Sequence, residues 1–187
     1  MNFNVIASDL IFTVDNFFSP EESLQHIELS ESKGYGDAPI NTIFGASFDK
    51  TVRNNTRVMF DDQTLAESLW QRIEPFVLSP IKGRNAIGLN ERLRYYRYEA
   101  GHVFRPHYDG SFERENGEKS QLTFMVYLNE DFEGGATRFE LPSGKETSVI
   151  PKTGTALLFI HQLRHEGAMV HAGRKYVLRS DVMYSAL

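Results

Sequence analysis

QLTFMVYLNEDFEGGATRFE, residues 121–140, contains two short runs that are typical of β-strands, one on each side of a Gly134-Gly135 turn. The same texture extends from about residue 90 to the end, with runs rich in Tyr, Phe, Val and Thr separated by Gly-containing turns. It predicts strands at 92–99, 103–108, 121–129, 136–141, 147–151, 155–160 and 174–184. Many short strands at this spacing are typical of a sandwich or a barrel.

The chain before residue 90 has helical patterns instead. Ser19-Pro20-Glu21-Glu22 is a helix start with a capping box, and this helix should run to about Ser32. A second helix should begin near Asp62, and residues 35–57 between the two helices should be irregular.

This order of elements predicts the α+β class. We expect one domain over residues 1–187, with helical support in about 1–90 packed on one sheet of a β-core in about 91–187.

Composition limits the function. The 187 residues include no cysteine, so disulfides, thiolate metal ligands and a cysteine nucleophile are excluded, and a metal must sit on His, Asp or Glu. The net charge of −5, without a basic block, argues against a nucleic-acid partner. No apolar run reaches 18 residues, and the N-terminus lacks the basic start of a signal peptide, so we expect no membrane association and a cytoplasmic location.

The sharpest local signal for chemistry is His107-Tyr108-Asp109. On a strand, residues i and i+2 point to the same face, so the imidazole and the carboxylate could grip one ion. A second histidine from a distant strand would complete a two-histidine, one-carboxylate face with open coordination positions, which suits non-haem Fe(II) oxygenases. Alone, a His-x-Asp pair is more often a surface ion pair or a hydrogen-bonded core histidine.

The His107-x-Asp109 pair belongs to the first of five sequence motifs that follow one another along the chain. They are Tyr98-x-x-Gly101-x-x-Phe104-x-x-His107-x-Asp109, Leu122 to Asn129, Gly134 to Phe139, Pro151-x-x-Gly154-x-Ala156-Leu157-Leu158-Phe159, and His165-Glu166-Gly167-x-x-Val170-x-x-Gly173-Arg174-Lys175-Tyr176. With these blocks the chain resembles the prolyl-4-hydroxylase-like branch of the 2-oxoglutarate/Fe(II)-dependent dioxygenases, firmly over 92–184 and more loosely over 10–80.

The resemblance implies a double-stranded β-helix (jelly roll) with helices bracing one sheet. It implies oxidative decarboxylation of 2-oxoglutarate, with release of succinate and CO2, coupled to hydroxylation of a second substrate. The cofactor set would be Fe(II), 2-oxoglutarate and O2, with ascorbate as an optional addition. A peptide or protein, prolyl in the collagen-type relatives, is the expected substrate, and a small molecule is the alternative.

Carried over by position, the iron ligands and catalytic residues would be His107, Asp109 and His165. His165 is preferred because it opens the last block, and His161 and His171 are the fallback candidates.

The resemblance also assigns the 2-oxoglutarate contacts. Lys175 lies about ten residues after the distal histidine, where the family places a cation for the far carboxylate. Arg179 competes with it, because the two residues share one strand face and Arg offers a bidentate grip. Tyr98 and Tyr127 match tyrosine positions near the cosubstrate, although strand aromatics that fill a core explain them equally well.

Substrate recognition is expected from residues 35–57 and 110–120, which are polar and contain Gly. Arg53, Asn55 and Arg57 could reach a peptide backbone or an acidic group, but a solvated turn leading into a strand at Val58 is the preferred interpretation.

Three alternatives remain open. An AlkB-like nucleic-acid demethylase would use the same triad but expects a basic binding face. A jelly-roll module could keep the metal-binding fold and lack catalysis. A cupin-like protein could hold Zn or Mn in the same ligands, because geometry alone does not choose the metal.

Overall fold

The computed structural model describes residues 1–38, 40–42, 45–47 and 49–187. It contains two α-helices, α1 (Pro20–Lys33) and α2 (Gln63–Ile73), and a 3-10 helix at Glu74–Phe76. Before residue 90 the strands are β1 (Asn2–Ala7), β2 (Ile11–Asp15), β3 (Gly36–Asp37), β4 (Ile40–Thr42), β5 (Gly45–Ser47), β6 (Thr56–Asp61) and β7 (Ala86–Leu89). The later strands are β8 (Arg92–Tyr98), β9 (Phe104–His107), β10 (Lys119–Tyr127), β11 (Phe132–Gly134), β12 (Thr137–Glu140), β13 (Glu146–Val149), β14 (Ala156–Ile160), β15 (Arg164–Gly167), β16 (Val170–Gly173) and β17 (Lys175–Tyr184).

The strands form a large antiparallel sheet and a smaller one. The large sheet has the order β1-β2-β14-β10-β17-β8-β6-β3, with β7 paired to β17, and the small sheet has the order β13-β12-β15-β9. Two further pairs, β11-β16 and β4-β5, complete the β structure of the described residues. All pairs are antiparallel, as in the predicted jelly roll, and the fold class is confirmed by the solved structures reported below.

Both helices begin where the sequence predicts. The Ser19 hydroxyl accepts a hydrogen bond from the Glu22 backbone N–H at 3.1 Å, and the Glu22 carboxylate accepts one from the Ser19 N–H at 2.8 Å, which completes the capping box. α1 ends at Lys33 and is followed by the capping residue Gly34, whose φ of 78° lies in the left-handed region. α2 begins at Asp62, which caps the Leu65 N–H.

Apolar side chains form one layer on each face of the large sheet. Alternation along β8 and β10 sends Leu93 and Leu122 to the outer face, where they share a core with Leu69 and Ile73 of α2. It sends Tyr96, Tyr98, Tyr127 and their neighbours to the inner face, where they meet Phe139 of the small sheet. A functional site enclosed between the two sheets must therefore be built from side chains of this inner face.

The expectation of helical support over about 1–90 needs correction. β2 pairs with β14, and β6 pairs with β8, so strands from the first third of the chain extend the large sheet at both ends. The segment 35–57 is also less irregular than expected, because it contains β3, β4 and β5. The organisation as one domain over 1–187 stays a prediction. Within the described ranges, no helix is both long enough and apolar enough to cross a membrane.

Candidate metal centre and active site

The three predicted ligands converge at the mouth of the small sheet. His107 at the end of β9 is the register partner of His165 on β15. One ligand atom from each of His107, Asp109 and His165 lies within 4.8 Å of the others. His165 Nε2 is 3.5 Å from Asp109 Oδ2, and His107 Nε2 is 3.7 Å from Asp109 Oδ1. One detail of the prediction is wrong, because β9 ends at His107 and Asp109 follows in a loop rather than on the strand.

Both imidazoles are oriented for ligation by a backbone hydrogen bond. His107 Nδ1 lies 2.7 Å from the Arg105 carbonyl oxygen, and His165 Nδ1 lies 2.9 Å from the Leu163 carbonyl oxygen. A carbonyl only accepts, so each Nδ1 carries the proton and each Nε2 presents its lone pair to the centre. Burial lowers the pKa of His107 to about 3 and also lowers the pKa of His165, which keeps both rings in the neutral form that binds a metal.

Asp109 is fixed by the large sheet. The Thr123 hydroxyl donates to Asp109 Oδ2 at 2.6 Å, and Arg179 Nη1 lies 2.9 Å from Asp109 Oδ1. Burial acts to raise the pKa of Asp109, but the charge of Arg179 and the Thr123 hydrogen bond hold it well below its usual range. The carboxylate is therefore charged, as a metal ligand must be.

A second set of charges lies behind Asp109. Asp181 is 3.3 Å from Arg179 Nη2 and 3.1 Å from Arg94 Nη1, and His161 Nε2 is 3.6 Å from it. His161 therefore faces Asp181 rather than the triad, and His171 is exposed. Among the described residues, neither fallback histidine joins the metal-ligand cluster.

Lys175 lies in a small cavity of about 30 Å³ on the inner side of the triad. Its ammonium donates to the Gly135 carbonyl oxygen at 2.6 Å and lies 5.3 Å from the ring centroids of Tyr98 and Tyr127. Burial lowers the pKa of Lys175 to about 7. The structure thus brings the four predicted cosubstrate residues to one region, since Tyr98, Lys175 and Arg179 line this cavity and Tyr127 packs beside it.

On the open side of the triad lies a groove of about 540 Å³. Its lining includes parts of both segments that the sequence proposed for recognition, Val52 and Arg53 from the first and Gly110 to Phe112 from the second. The preference for a solvated turn at Arg53 and Asn55 is wrong, because these side chains are 6% and 1% exposed.

Several site residues were missed from the sequence, above all Thr123 and Asp181. Strict alternation along β10 places Thr123 on the face of Tyr127, and alternation along β17 places Asp181 on the face of Lys175 and Arg179. That periodicity was the signal that could have identified both.

The donor set fits a divalent iron ion. Two neutral imidazoles and one carboxylate, all on one side, leave the groove side of the centre open, and this is the ligand pattern of non-haem Fe(II) oxygenases. Charged and hydrogen-bonded neighbours hold every ligand in place, as is usual around functional metal ions.

Comparison with known proteins shows a similarity to oxygenases that use this ligand pattern. The family model described as the 2OG-Fe(II) oxygenase superfamily matches residues 93–180, which include all three candidate ligands. Over these residues, slightly less than half of the chain, the sequence is similar to the 2OG-Fe(II) oxygenase superfamily.

Among curated relatives, the similarity is to prolyl 4-hydroxylases. Probable prolyl 4-hydroxylase 10 of Arabidopsis thaliana is 29% identical over 166 residues, which cover 77% of this chain and 55% of the relative. Prolyl 4-hydroxylase 5 of the same plant is 28% identical over 165 residues, with the same coverage of 77% and 55%. The chain thus spans about half the length of the curated relatives it matches.

Two solved structures share the fold over nearly the whole chain. The viral collagen prolyl hydroxylase of Paramecium Bursaria Chlorella virus-1, in its 2OG complex, matches with a TM-score of 0.66 and 20% identity, covering 98% of this chain and 100% of that one. A prolyl hydroxylase of Trichoplax adhaerens, in complex with a peptide fragment of hypoxia inducible factor, matches with a TM-score of 0.71 and 17% identity, covering 94% and 84%. Both support the jelly roll, and the comparisons favour the prolyl-hydroxylase interpretation over the AlkB-like alternative.

Proposed function

We propose that this protein is a 2-oxoglutarate- and Fe(II)-dependent hydroxylase of peptidyl substrates, with proline as the target residue. The observation that carries the proposal is the convergence of His107, Asp109 and His165, with both histidine Nε2 atoms free and directed at the carboxylate. The similarity to the 2OG-Fe(II) oxygenase superfamily and to prolyl 4-hydroxylases supports the same activity.

In this proposal His107, Asp109 and His165 hold the iron. When bound, Fe(II) supplies the redox chemistry by which 2-oxoglutarate and O2 become succinate and CO2 while one oxygen atom enters a substrate C–H bond. The task of the chain is to orient its ligands before the ion arrives, and the backbone carbonyls of Arg105 and Leu163 do this for the two imidazoles.

Lys175 is the best candidate for the distal carboxylate of 2-oxoglutarate. Among the described residues it has no carboxylate partner, whereas Arg179 is already held by Asp109 and Asp181. A buried ammonium without a counter-charge is costly, so a dicarboxylate that reaches it is stabilised. The present cavity is small, and we infer that Lys175 leaves the Gly135 carbonyl oxygen when the cosubstrate enters.

Tyr98 and Tyr127 would shape this pocket. The Tyr127 hydroxyl is hydrogen-bonded to Thr137 Oγ1 at 2.6 Å, which fixes its ring beside the Lys175 ammonium. Burial raises the pKa of Tyr98 to about 12, so its phenol keeps its proton and can donate to an entering carboxylate.

The test is turnover by the purified protein with Fe(II), 2-oxoglutarate and proline-containing peptides. We expect succinate from 2-oxoglutarate and a peptide product about 16 Da heavier, and His165→Ala should abolish both because it removes a ligand. Full turnover by His165→Ala would overturn the ligand assignment. Absence of succinate from the wild-type protein under these conditions would overturn the activity itself.

A further inference from the structure

The groove beside the triad is unusually rich in arginine. Its wall includes Arg53, which lies just before β6, together with side chains of β6, β8 and β17 that point to the inner face. Register explains the clustering, because Arg57 is the partner of Tyr96 across β6 and β8, and Arg94 is the partner of Arg179 across β8 and β17. The cationic residues lining the groove are Arg53, Arg57, Arg92, Arg94 and Arg179, and the acidic ones are Asp109 and Asp181.

Most of these arginines already have carboxylate partners. Arg92 pairs with Asp61, Arg94 pairs with Asp181, and Arg179 contacts Asp109 and Asp181.

Arg53 and Arg57 have no such partner among the residues that the structure describes. No carboxylate oxygen of the described residues lies within 4 Å of either guanidinium. Positions 39, 43, 44 and 48, which the structure does not describe, are Pro, Ile, Phe and Phe, so they cannot supply one.

Arg53 is held in one orientation although its charge is not neutralised. Its side chain is 6% exposed, and its guanidinium carbon lies 4.5 Å from the ring centroid of Tyr96 and 4.3 Å from that of Phe104. Its Nε donates to Asn55 Oδ1 at 2.7 Å, while Nη2 is buried without a hydrogen-bond partner among the described residues. A buried polar atom that lacks a partner costs free energy unless a ligand satisfies it.

The position of Arg53 connects it to the reacting centre. Phe104, on which its guanidinium stacks, is itself stacked on His107 with ring centroids 3.5 Å apart. One aromatic ring therefore separates this cation from a proposed metal ligand. A group bound by Arg53 would lie within a few residues of the peptide position that is hydroxylated.

Neighbouring groups report the same positive potential. Burial lowers the pKa of Arg57, and the charges of Arg53 and Arg94 lower it further, while the hydrogen-bonded Tyr96 phenol acts to raise it. For Tyr96, burial acts to raise the pKa of the phenol, yet the charges of the surrounding arginines outweigh it and leave the pKa below its usual value. Fe(II) and 2-oxoglutarate bring equal and opposite charge, so the excess positive charge of the groove would remain for the substrate to neutralise.

We propose that the peptide substrate carries a carboxylate close to the target residue, and that Arg53 and Arg57 bind this carboxylate. The proposal rests on the proposed function and adds a substrate preference to it. A planar guanidinium clamped between two rings matches a planar carboxylate in a bidentate hydrogen-bonding geometry. The carboxylate is either an Asp or Glu side chain flanking the target or the C-terminus of the peptide.

A peptide pool tests the proposal. Proline peptides that are randomised at the three positions on either side, with free or amidated C-termini, are incubated with the Fe(II)-loaded protein and 2-oxoglutarate, and products are identified by mass. We expect hydroxylated products to be enriched in Asp and Glu, or in free C-termini if the terminus is the source. Neutralising that carboxylate in a single peptide should lower kcat/KM about tenfold to a hundredfold.

Two variants form a matched pair. Arg57→Gln removes a half-buried cation that has no carboxylate partner among the described residues. It should bring the ratio of kcat/KM for acidic peptides to kcat/KM for neutral peptides close to one. Arg92→Gln removes a groove arginine that is already paired with Asp61 and should retain the preference. Arg53→Met is the second test variant, and should lose the preference in the same way, with circular dichroism to show that it is folded.

The outcomes separate the two proposals. Formation of succinate from 2-oxoglutarate without peptide would support the proposed iron chemistry. If, in that case, acidic and neutral peptides react equally, or if no acidic peptide reacts, the carboxylate proposal is overturned. If Arg57→Gln and Arg53→Met change only the KM for 2-oxoglutarate and leave the peptide preference intact, these cations serve the cosubstrate and the proposal is overturned. If succinate never forms, the proposed function itself fails.

Discussion

Lys175 is a buried amine whose charge depends on pH. Burial lowers its pKa to about 7, so the free protein holds it mainly as an ammonium below that pH and mainly neutral above it. A bound carboxylate favours the ammonium, which raises the pKa in the complex. Binding of 2-oxoglutarate at Lys175 should therefore take up a proton above about pH 7 and take up almost none at pH 6.

This predicts a falling affinity for 2-oxoglutarate as pH rises above the pKa of the free protein, at most about tenfold per pH unit. Calorimetric titration of the Mn(II)-loaded protein in two buffers of different ionisation enthalpy measures the proton uptake. Lys175→Ala should abolish the uptake and raise the KM for 2-oxoglutarate more than Arg179→Ala does. The reverse order would place the distal carboxylate at Arg179.

The sequence indicates the place of some residues in the candidate site but not of others. His107, Asp109 and His165 could be named as candidates because each stands in one of the blocks that carry the resemblance, and the β9-β15 register brings them together. The burial of Arg53 was not predictable. Its guanidinium lies between rings from β8 and β9, about 40 to 50 residues along the chain, and nothing in the local sequence indicates that sandwich.

At the scale of elements, the turn before β14 depends on Gly154. Its φ is +73°, and a Cβ there would overlap the carbonyl oxygen of Phe18, whose backbone N–H also donates to the Gly154 carbonyl oxygen at 3.0 Å. The backbone at Phe18, just before α1, therefore packs directly against the backbone at Gly154. Gly144 has a similar φ of +78°, but no heavy atom lies within 4 Å of a Cβ built there.

Gly154→Ala and Gly144→Ala therefore form a matched pair. Gly144→Ala carries only the backbone cost of the left-handed region, about 1 kcal/mol. Gly154→Ala adds a clash with backbone and should lower the free energy of unfolding by roughly 3 kcal/mol. Urea denaturation of the metal-free variants measures both values, and equal losses would contradict the close approach at Phe18.

Strands were predicted correctly where the local sequence is rich in residues typical of β-strands. All seven strands expected after residue 90 are present, with bounds shifted by a few residues. β15 was missed because Arg164–Gly167 reads RHEG, which has no β-typical residue. It is a strand because β12 and β9 pair with it on both sides, and such long-range pairing overrides local propensity.

On the scale of the whole molecule, the candidate metal centre lies where the two sheets meet. His107 and His165 belong to β9 and β15 of the small sheet, whereas Asp109 is held by Thr123 of β10 and Arg179 of β17 in the large sheet. The sequence could supply the candidate ligands and the jelly-roll class. It could not supply the joining of N-terminal strands to the large sheet, because strand pairing between distant segments leaves no local signal.

An ion bound at this junction would connect the two sheets in the folded state only. A ligand that binds the native state at a hundred times its Kd adds about 2.7 kcal/mol to the free energy of unfolding. For a chain of this size that corresponds to a rise in Tm of about 5–10 °C. We expect this rise with Mn(II) and a further one with 2-oxoglutarate, measured by scanning calorimetry. His165→Ala should show neither rise, and an undiminished shift in that variant would mean that the ion stabilises the protein from another site.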